Sequence, residues 1–328
     1  MIAAHGREPA ARSAAPARST AAPGAGRRIW SVGGGKGGVG KSLIAASLGC
    51  QLARAGQRIA LVDADLGGPN LHSYLGLAAS SRGTGDPGRR RPSSIEEALG
   101  DTPVPGLRLA SGAADLLSAA AAGHLHRLRL LGQLRVLEAD VVLLDLGAGT
   151  SDAVLDLLLL SDVSIVVVMP EPASIEVGYR FVKSALQRRL RAAAPTAEVR
   201  ALVDSAFDPA SSTGPTNTGD LIDRVEADDA EAAAVLRREA ASFSPRFVVN
   251  GVRNEAEVVV GHQLVAACAR HLGLTASYAG FVHHDDAVWQ AVRRRRSFVT
   301  EAQGSRAAGE IRDLARRLAN GEDLGHGY

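Results

Sequence analysis

The 328-residue sequence predicts an α/β fold in which a mostly parallel central sheet is flanked by helices in three α/β/α layers. Two observations support this prediction. Short, nearly continuous apolar segments alternate with amphipathic helical segments, and this order favours parallel strands joined by helical crossovers. Hydrophobic residues make up 46% of the chain and charged residues 22%, which is the composition of a globular protein with a large core.

The strand and helix predictions follow the apolar pattern along the chain. Strands are predicted at 28–32, 58–63, 107–110, 141–146, 163–169, 247–250 and 276–282. Helices are predicted at 40–54, 124–137, 154–160, 174–190, 230–241, 255–272, 285–294 and 305–318, with a single helical turn at 95–99. A polar loop is predicted at 79–93, and an acidic loop is predicted within 204–231.

A glycine-rich loop between the first predicted strand and the first predicted helix carries the clearest functional signal. It matches the phosphate-binding pattern G-x-x-x-x-G-K-[ST] with Gly35, Lys36, Gly37, Gly38, Val39, Gly40, Lys41 and Ser42, followed by Leu43. Glycines let main-chain N–H groups approach phosphate oxygens closely, and the N-terminus of a helix favours anions. We therefore expect a P-loop in which Lys41 contacts the β- and γ-phosphates of ATP and Ser42 ligates Mg²⁺.

Carboxylates at the ends of two other predicted strands indicate a metal-phosphate site. Asp63 and Asp65 follow the second strand at spacing i, i+2, so both side chains can face the same site. Asp145 ends the apolar strand 141–146, as expected for a carboxylate that holds Mg²⁺ through water. The glycine-containing segment 147–149 that follows is expected to form a flexible loop able to sense the γ-phosphate.

A second lysine in the loop, Lys36, extends the pattern to K-G-G-V-G-K-S. With this lysine the chain resembles the deviant Walker A ATPases of the MinD/ParA family over about residues 28–300. D-L-G-A-G-T-S from Asp145, P-E-P-A-S-I from Pro170 and V-V-N ending at Asn250 are similar to the FlhG/MinD branch of that family. The resemblance implies a P-loop NTPase fold and an ATP hydrolase that uses ATP/ADP and Mg²⁺.

The resemblance also implies roles for individual residues. Lys36 corresponds to the lysine that reaches across a dimer to the partner's nucleotide. Asp65 corresponds to the residue that positions or activates the attacking water, and Asp63 to one that supports the Mg²⁺ and Lys41 region. The expected catalytic residues are accordingly Lys36, Lys41 and Asp65, and the expected metal-site residues are Ser42, Asp63 and Asp145.

Two asparagines complete the nucleotide site that the resemblance implies. Asn70 corresponds to an asparagine that contacts phosphate, and Asn250 to one that contacts the adenine edge, although a strand-end turn residue is the alternative for Asn250. The segment Asp285–Arg296 is similar to a family stretch near the nucleotide base. Ser297 stands where the family has proline after this basic run.

Cysteine usage argues against an iron–sulfur carrier. The chain holds two cysteines, Cys50 and Cys268, each isolated in an apolar helical pattern and neither part of a C-x-x-C pair. Related cluster carriers use cysteines as cluster ligands, so we expect two buried free thiols instead. The longest apolar run is interrupted by acidic residues and falls short of a membrane span.

Two segments are candidate partner surfaces. The basic run Arg293–Arg296 is either a solvated surface or a DNA contact, as basic residues are in ParA proteins. The predicted C-terminal helix carries Ile311, Leu314, Ala315 and Leu318 on one face. That face either packs on the protein itself or anchors it reversibly to lipid, as the C-terminal helix of MinD does.

The sequence therefore predicts a MinD/FlhG-like ATPase switch that forms an ATP-dependent homodimer and responds to an activating protein partner. Its expected role is to control the placement or number of a cellular structure, such as flagella or the division site. A ParA-like DNA-segregation ATPase and a nucleotide-binding scaffold with weak catalysis are the alternatives. The expected location is the cytoplasm, with peripheral contact at the inner face of the cell membrane as an open alternative.

The predicted domain organisation has three parts. Residues 1–27 are expected to be a disordered tail rich in Ala, Pro and Arg. Residues 28–300 are expected to form the ATPase domain, with an insertion at about 195–245 packed on its core. Residues 301–328 are expected to form the C-terminal helix and a short tail.

Overall fold

A computed structural model describes residues 28–65, 68, 70–77, 92–111, 124–208, 215 and 217–324. The tail predicted at 1–27 and most of the polar loop predicted at 79–93 lie outside the described residues. The strands are β1 Arg28–Gly33, β2 Ile59–Ala64, β3 Leu99–Asp101, β4 Leu107–Ala110, β5 Val141–Leu146, β6 Val163–Val168, β7 Arg246–Val252 and β8 Ser277–His283. The seven predicted strands are thus confirmed. Strand β3 was not predicted, because three residues are too short to show a strand pattern.

The described strands form one sheet in the order β3-β4-β2-β5-β1-β6-β7-β8. Every neighbouring pair is parallel except β3 and β4. The register of β2 and β5 places Asp63 directly opposite Asp145. Because parallel strands end at the same edge, the loop after β1 and the acids after β2 and β5 meet there.

The helices cover both faces of the sheet. They are α1 Lys41–Arg54, α2 Leu71–Tyr74, α3 Ile95–Ala98, α4 His124–Val136, α5 Asp152–Leu159, α6 Pro172–Ala193, α7 Ala197–Phe207, α8 Thr218–Asp228, α9 Ala230–Ala241, α10 Val260–Ala267, α11 Asp286–Arg293, α12 Phe298–Glu301 and α13 Arg306–Asn320. The helix predicted at 255–272 is divided into a 3₁₀ turn at Glu255–Glu257, α10, and a π-helical turn at Cys268–Leu272.

The core consists of two hydrophobic layers, one on each face of the sheet. Successive residues of β1 enter opposite layers, with Ile29 in one and Trp30 in the other. This arrangement explains why the central strands are apolar at nearly every position instead of alternating. Cys268 is buried in the layer that holds Ile29, and Cys50 is buried in the opposite layer, which confirms two buried thiols.

The segment predicted as an insertion at 195–245 is helical over much of its length. The acidic loop predicted there is wrong for α7 and α8, which begin at side-chain N-caps. Thr196 accepts a hydrogen bond from the Val199 amide, and Asn217 accepts one from the Asp220 amide. Their apolar sides, for example Phe207 on α7, join the same hydrophobic layer as α6. Amphipathic helices of this kind bury a narrow face and expose the rest.

The C-terminal helix packs on the protein itself. Helix α13 lies against α1 and β8, and its apolar residues Ile311, Leu314, Ala315 and Leu318 are all buried. Of the two alternatives for this helix, the packed one is therefore the one observed, and its apolar face is not available to lipid in this structure. Among the described residues, no helix is both long and apolar enough to cross a membrane.

Candidate nucleotide-binding site

The loop between β1 and α1 has the geometry of a phosphate cradle. Gly40 caps the N-terminus of α1 with φ of 95°, a left-handed conformation that side chains disfavour. A Cβ atom at Gly35 would lie 2.6 Å from Val177 Cγ1, so helix α6 requires glycine there as well. These two constraints leave the main chain close to α6 on one side and free to present its amides on the other.

Lys41 lies within the cradle. Its side chain is buried, and its ammonium donates a hydrogen bond to the carbonyl oxygen of Lys36 at 3.3 Å. Burial lowers the pKa of Lys41, while the nearby charges of Asp145 and Asp65 raise it. A buried ammonium with a single long hydrogen bond is well suited to exchange that bond for a phosphate oxygen.

Asp145, at the end of β5, is a buried carboxylate whose oxygens have no hydrogen-bond partner of good geometry among the described residues. Burial raises the pKa of Asp145 to about 7, whereas the neighbouring Ser42 hydroxyl and Lys41 ammonium lower it. Oxygen ligands of this kind suit Mg²⁺, which keeps several waters and takes few protein ligands. The residues present therefore fit the metal that the phosphate loop implies, with Ser42 and Asp145 as its holders.

Asp63 has a different environment from its neighbour Asp145. Its Oδ1 accepts a hydrogen bond from the Asp65 amide at 3.3 Å, and its Oδ2 accepts one from the Leu71 amide at 3.1 Å. Burial nevertheless raises its pKa. Asp63 thus shapes the loop between β2 and α2, and its role at the metal stays a prediction.

Asp65 faces the loop that follows β5. A Cβ atom at Gly147 would lie 3.0 Å from Asp65 Oδ1, so the carboxylate sits against the main chain of this loop. The same loop contacts the phosphate cradle, because the Gly149 amide donates a hydrogen bond to the Gly35 carbonyl at 3.1 Å. The structure therefore brings together the P-loop, Asp65 and the segment predicted to sense the γ-phosphate.

The two predicted asparagines differ in position. Asn250 Nδ2 donates a hydrogen bond to the Val39 carbonyl at 2.9 Å, and its amide would collide with any side chain at Gly40. This bracing of the cradle is a role that sequence reasoning missed, and the adenine contact stays a prediction. Asn70 is exposed immediately before α2, and its main-chain amide helps to hold Asp63. Its phosphate contact also stays a prediction.

Lys36 lies at the mouth of the cradle and points toward the end of β6. Its ammonium forms an ion pair with Glu171 at 3.0 Å, and the two side chains are 39% and 52% exposed. Glu171 belongs to the P-E-P-A-S-I segment of the sequence, but that pattern does not predict its ion pair with Lys36. Both side chains are accessible, so the ion pair can open at little cost.

Several known proteins are similar to this chain in sequence. The model of the ParA family, described as an NUBPL iron-transfer P-loop NTPase, matches residues 26–192. Antiactivator FleN of Pseudomonas aeruginosa is 32% identical over 165 residues, which are 48% of this chain and 55% of FleN. An iron–sulfur cluster carrier protein of Deinococcus radiodurans is 32% identical over 144 residues, 44% of this chain and 40% of the carrier. The chain thus spans about half the length of these relatives or less.

Solved structures show the same fold. The septum site-determining protein MinD of Pyrococcus horikoshii, complexed with Mg-ADP, superposes with a TM-score of 0.58 at 17% identity, covering 89% of this chain and 96% of that one. MinD in a MinC:MinD complex from Aquifex aeolicus gives 0.54 at 21% identity, covering 92% and 98%. The family model matches half of the sequence, and the eight-stranded sheet with its cradle has the expected architecture. The chain therefore belongs to the ParA/MinD family of P-loop NTPases.

Proposed function

We propose that this protein is an ATP-controlled switch of the MinD/FlhG type. It binds Mg-ATP, forms a homodimer in that state, and returns to the monomer after slow hydrolysis. The observation that carries the proposal is Lys36, a second loop ammonium that lies outside the buried site and faces solvent. Lys41 is the buried cation of the cradle, and the exposed ion pair of Lys36 with Glu171 can open, so Lys36 is available to a nucleotide held by a second copy.

The residues of this chain divide the chemical work. The cradle amides and Lys41 bind and orient the phosphates, while Ser42 and Asp145 hold the metal. Magnesium, when bound, neutralises charge that develops on the phosphate oxygens. Asp65 orients a water by accepting its hydrogen bond, and Gly147 and Gly149 close over the γ-phosphate. Main-chain contact between Gly149 and Gly35 supports a direct link between this loop and the cradle.

The proposed cellular role is control of the placement or number of a structure such as flagella or the division site. Its support is the similarity to antiactivator FleN and to the septum site-determining proteins MinD. The solved MinC:MinD complex supports an activating protein partner for this chain as well. The proposed location is the cytoplasm, and any contact at the inner face of the cell membrane would be made by a surface other than the buried face of α13.

Iron–sulfur carriage is the first competing function, since carriers are among the similar proteins. Cluster ligation by cysteine requires thiolates that converge on one site. Cys50 and Cys268 are the only cysteines of the sequence, and they are buried in opposite hydrophobic layers of the sheet. One copy of the chain therefore cannot bring them together, which favours the switch.

A ParA-like DNA-segregation ATPase is the second competing function. Arg293–Arg296 are all exposed beside Trp289, which is 60% exposed and carries the Arg293 guanidinium 4.5 Å from its ring centroid. Such a surface suits phosphate backbones. Binding of non-specific duplex DNA only in the presence of ATP would favour this function over the ATP-controlled switch.

A scaffold that binds nucleotide for structure is the third competing function. A Lys41→Ala protein that is fully functional in cells would favour it.

The decisive experiment is size-exclusion chromatography with light scattering, using ADP and ATP. Asp65→Ala should form a stable dimer with Mg-ATP and remain a monomer with ADP, because it binds ATP without hydrolysing it. Lys36→Ala should bind nucleotide with near wild-type affinity and stay monomeric in both. A monomeric Asp65→Ala protein with bound ATP would contradict the proposal, as would intact dimers of Lys36→Ala.

A further inference from the structure

A second cavity lies away from the phosphate cradle, on the other side of helix α6. It measures about 610 Å³, is partly open to solvent, and is lined by α6, α7, the start of α8, and α10 with its π-helical turn. Its size is within the range of small-molecule sites, about 300–1,000 Å³. Nothing in the proposed nucleotide chemistry uses it.

The walls of the cavity are mainly apolar. Ile175 and Tyr179 contribute from α6, Phe207 closes the end of α7, and Leu264 lines the opposite side. Burial raises the pKa of the Tyr179 hydroxyl, so it adds no negative charge to the cavity. Two aromatic rings with aliphatic neighbours suit a flat or extended apolar body.

One uncompensated cation lines this apolar space. Lys183 places its ammonium 5.9 Å from the centroid of the Phe207 ring, and within the described chain it forms no ion pair or hydrogen bond. The carboxylate at the rim, Glu176, is already paired with Arg180. The net charge offered to a ligand is therefore positive, with the exposed imidazole of His271 nearby.

A buried polar atom is also left without a partner at the cavity wall. Thr218 is 3% exposed, and its Oγ1 has no hydrogen-bond partner among the described residues. Buried hydroxyls are normally hydrogen-bonded, so an unpartnered one at a cavity wall indicates a missing ligand or water. Its position on α8 places it among the residues that enclose the same space as Lys183.

Helix α6 connects this cavity to the phosphate cradle. Ile175, Tyr179 and Lys183 line the cavity from one side of the helix. From the other side, Val177 lies against Gly35 of the cradle so closely that a Cβ there would meet its main chain at 2.7 Å. A ligand that shifts α6 must therefore also move the cradle, because packed helices transmit displacement.

We propose that this cavity is a regulatory site for a small amphipathic organic anion, with an apolar body between Tyr179 and Phe207 and its acidic group on Lys183. Occupancy changes the affinity of the cradle for nucleotide through α6, a consequence that rests on the proposed nucleotide-binding function. By linkage, nucleotide changes the affinity for the anion by the same factor.

The test uses the full chain and a pair of matched fluorescent probes. 8-Anilinonaphthalene-1-sulfonate carries an acidic group, and N-phenyl-1-naphthylamine is its neutral counterpart. The sulfonate should bind one site per chain, and Lys183→Met should weaken it about 10-fold while leaving the neutral probe within about 2-fold. Arg191→Met is the matched control, since it removes a cation from α6 outside the cavity lining.

A second variant guards against non-specific binding of the probe. Ala206→Trp fills the cavity and should abolish binding of both probes, while thermal unfolding and ADP titration show that the fold persists. Sulfonate binding that survives both Lys183→Met and Ala206→Trp would overturn the proposed site. In wild type, saturating sulfonate should change the ADP dissociation constant at least 3-fold, and an unchanged constant would overturn the regulatory role. Loss of ADP binding with intact probe binding would instead contradict only the proposed nucleotide function.

Discussion

Two buried carboxylates in this molecule have opposite surroundings. Asp156, on α5, is 6% exposed and receives two hydrogen bonds from the Arg188 guanidinium, at 2.6 and 2.8 Å. Asp145, at the end of β5, is fully buried, yet among the described residues neither oxygen has a hydrogen-bond partner of good geometry. The first charge is compensated by the protein, whereas the second is left for something that binds.

This difference in hydrogen bonding distinguishes a carboxylate that stabilises the fold, Asp156, from one that is placed to bind a ligand, Asp145. A bidentate Arg–carboxylate pair satisfies both charges, and this one joins α5 to α6. A buried carboxylate without hydrogen bonds costs free energy in the empty protein, and a bound metal ion would offset that cost. Lys41 and Ser42 of the phosphate loop both lower the pKa of Asp145.

The largest expected effect comes from Lys41→Ala. Removing the buried ammonium should weaken ATP and ADP binding by at least about 100-fold, because the phosphates lose a charge-assisted contact worth about 3 kcal/mol. Isothermal titration with Mg-ADP measures the loss. Lys36→Ala, in the same loop but outside the buried site, is the control that should retain affinity. Unchanged binding in Lys41→Ala would remove the P-loop assignment.

Arg188→Met should destabilise the fold without affecting nucleotide. The substitution removes the guanidinium that donates two hydrogen bonds to the buried Asp156 carboxylate, at a cost of about 3 kcal/mol in the free energy of unfolding. Urea unfolding measures it, and Mg-ADP titration at low urea should give wild-type affinity. The double variant Arg188→Met/Asp156→Leu should recover much of the stability. A single variant as stable as wild type would show that the pair contributes nothing.

Asp145→Asn, unlike Arg188→Met, should stabilise the nucleotide-free protein, by about 1–2 kcal/mol in the free energy of unfolding near pH 8. Burial raises the pKa of Asp145 from 3.8 to about 7, so between these values the folded state binds more protons than the unfolded state. The contribution of this group to stability therefore falls as pH rises through that window. Urea unfolding of both proteins at pH 5 and pH 8 measures the difference.

The same substitution should abolish the Mg²⁺-dependent part of ADP affinity, which titration with and without EDTA would show. The stability gap between wild type and Asp145→Asn should narrow from pH 8 to pH 5, because the folded wild type takes up a proton below about pH 7, and it should close only toward pH 3.8, where the unfolded chain is protonated as well. A stability gap that stays constant across the range would contradict the assignment of the raised pKa to Asp145. Retained Mg²⁺ dependence would contradict its role at the metal.

The smallest expected effect comes from Glu171→Gln, which releases Lys36 from its ion pair. Since both side chains are substantially exposed, the free energy of unfolding should change by less than about 1 kcal/mol. The freed lysine should let dimers form at an ATP concentration a few-fold lower, as followed by light scattering. The nearby pair offers a control, because Glu176→Gln should leave dimerisation unchanged. Weaker dimerisation in Glu171→Gln would mean that Glu171 acts in the dimer itself.

Much of the fold was predictable because its signals are local. The strands of a parallel sheet are buried on both faces, so β1, β5 and β6 are apolar at most positions and lack the polar face of a surface helix. Helices α7 and α8 escaped prediction because each buries only a narrow side, and α8 is also rich in acids. The N-cap residues Thr196 and Asn217 could have indicated where these helices begin. The polar residues around them made the segment resemble a loop instead.

The sequence predicted which residues form the candidate site. Lys36, Lys41, Ser42 and Asp145 follow from motif and strand context, and the structure brings them to one edge of the sheet. The contacts that refine their roles were not predictable. Glu171 reaches Lys36 across 135 positions of sequence, and Asn250 reaches the cradle across 211. Such distances in sequence leave no periodic or spacing signal.

By itself, the sequence determined the class of fold and the phosphate loop, because both depend on short-range rules: apolar runs for buried strands, and glycines where the backbone must approach phosphate. The tertiary structure alone decided which charges are compensated. Asp63, Asp145 and Asp156 are the same residue type, yet amides hold the first, nothing of good geometry holds the second, and an arginine holds the third. The partner of a buried charge depends on which distant segments the fold places beside it, and only folding in three dimensions sets that.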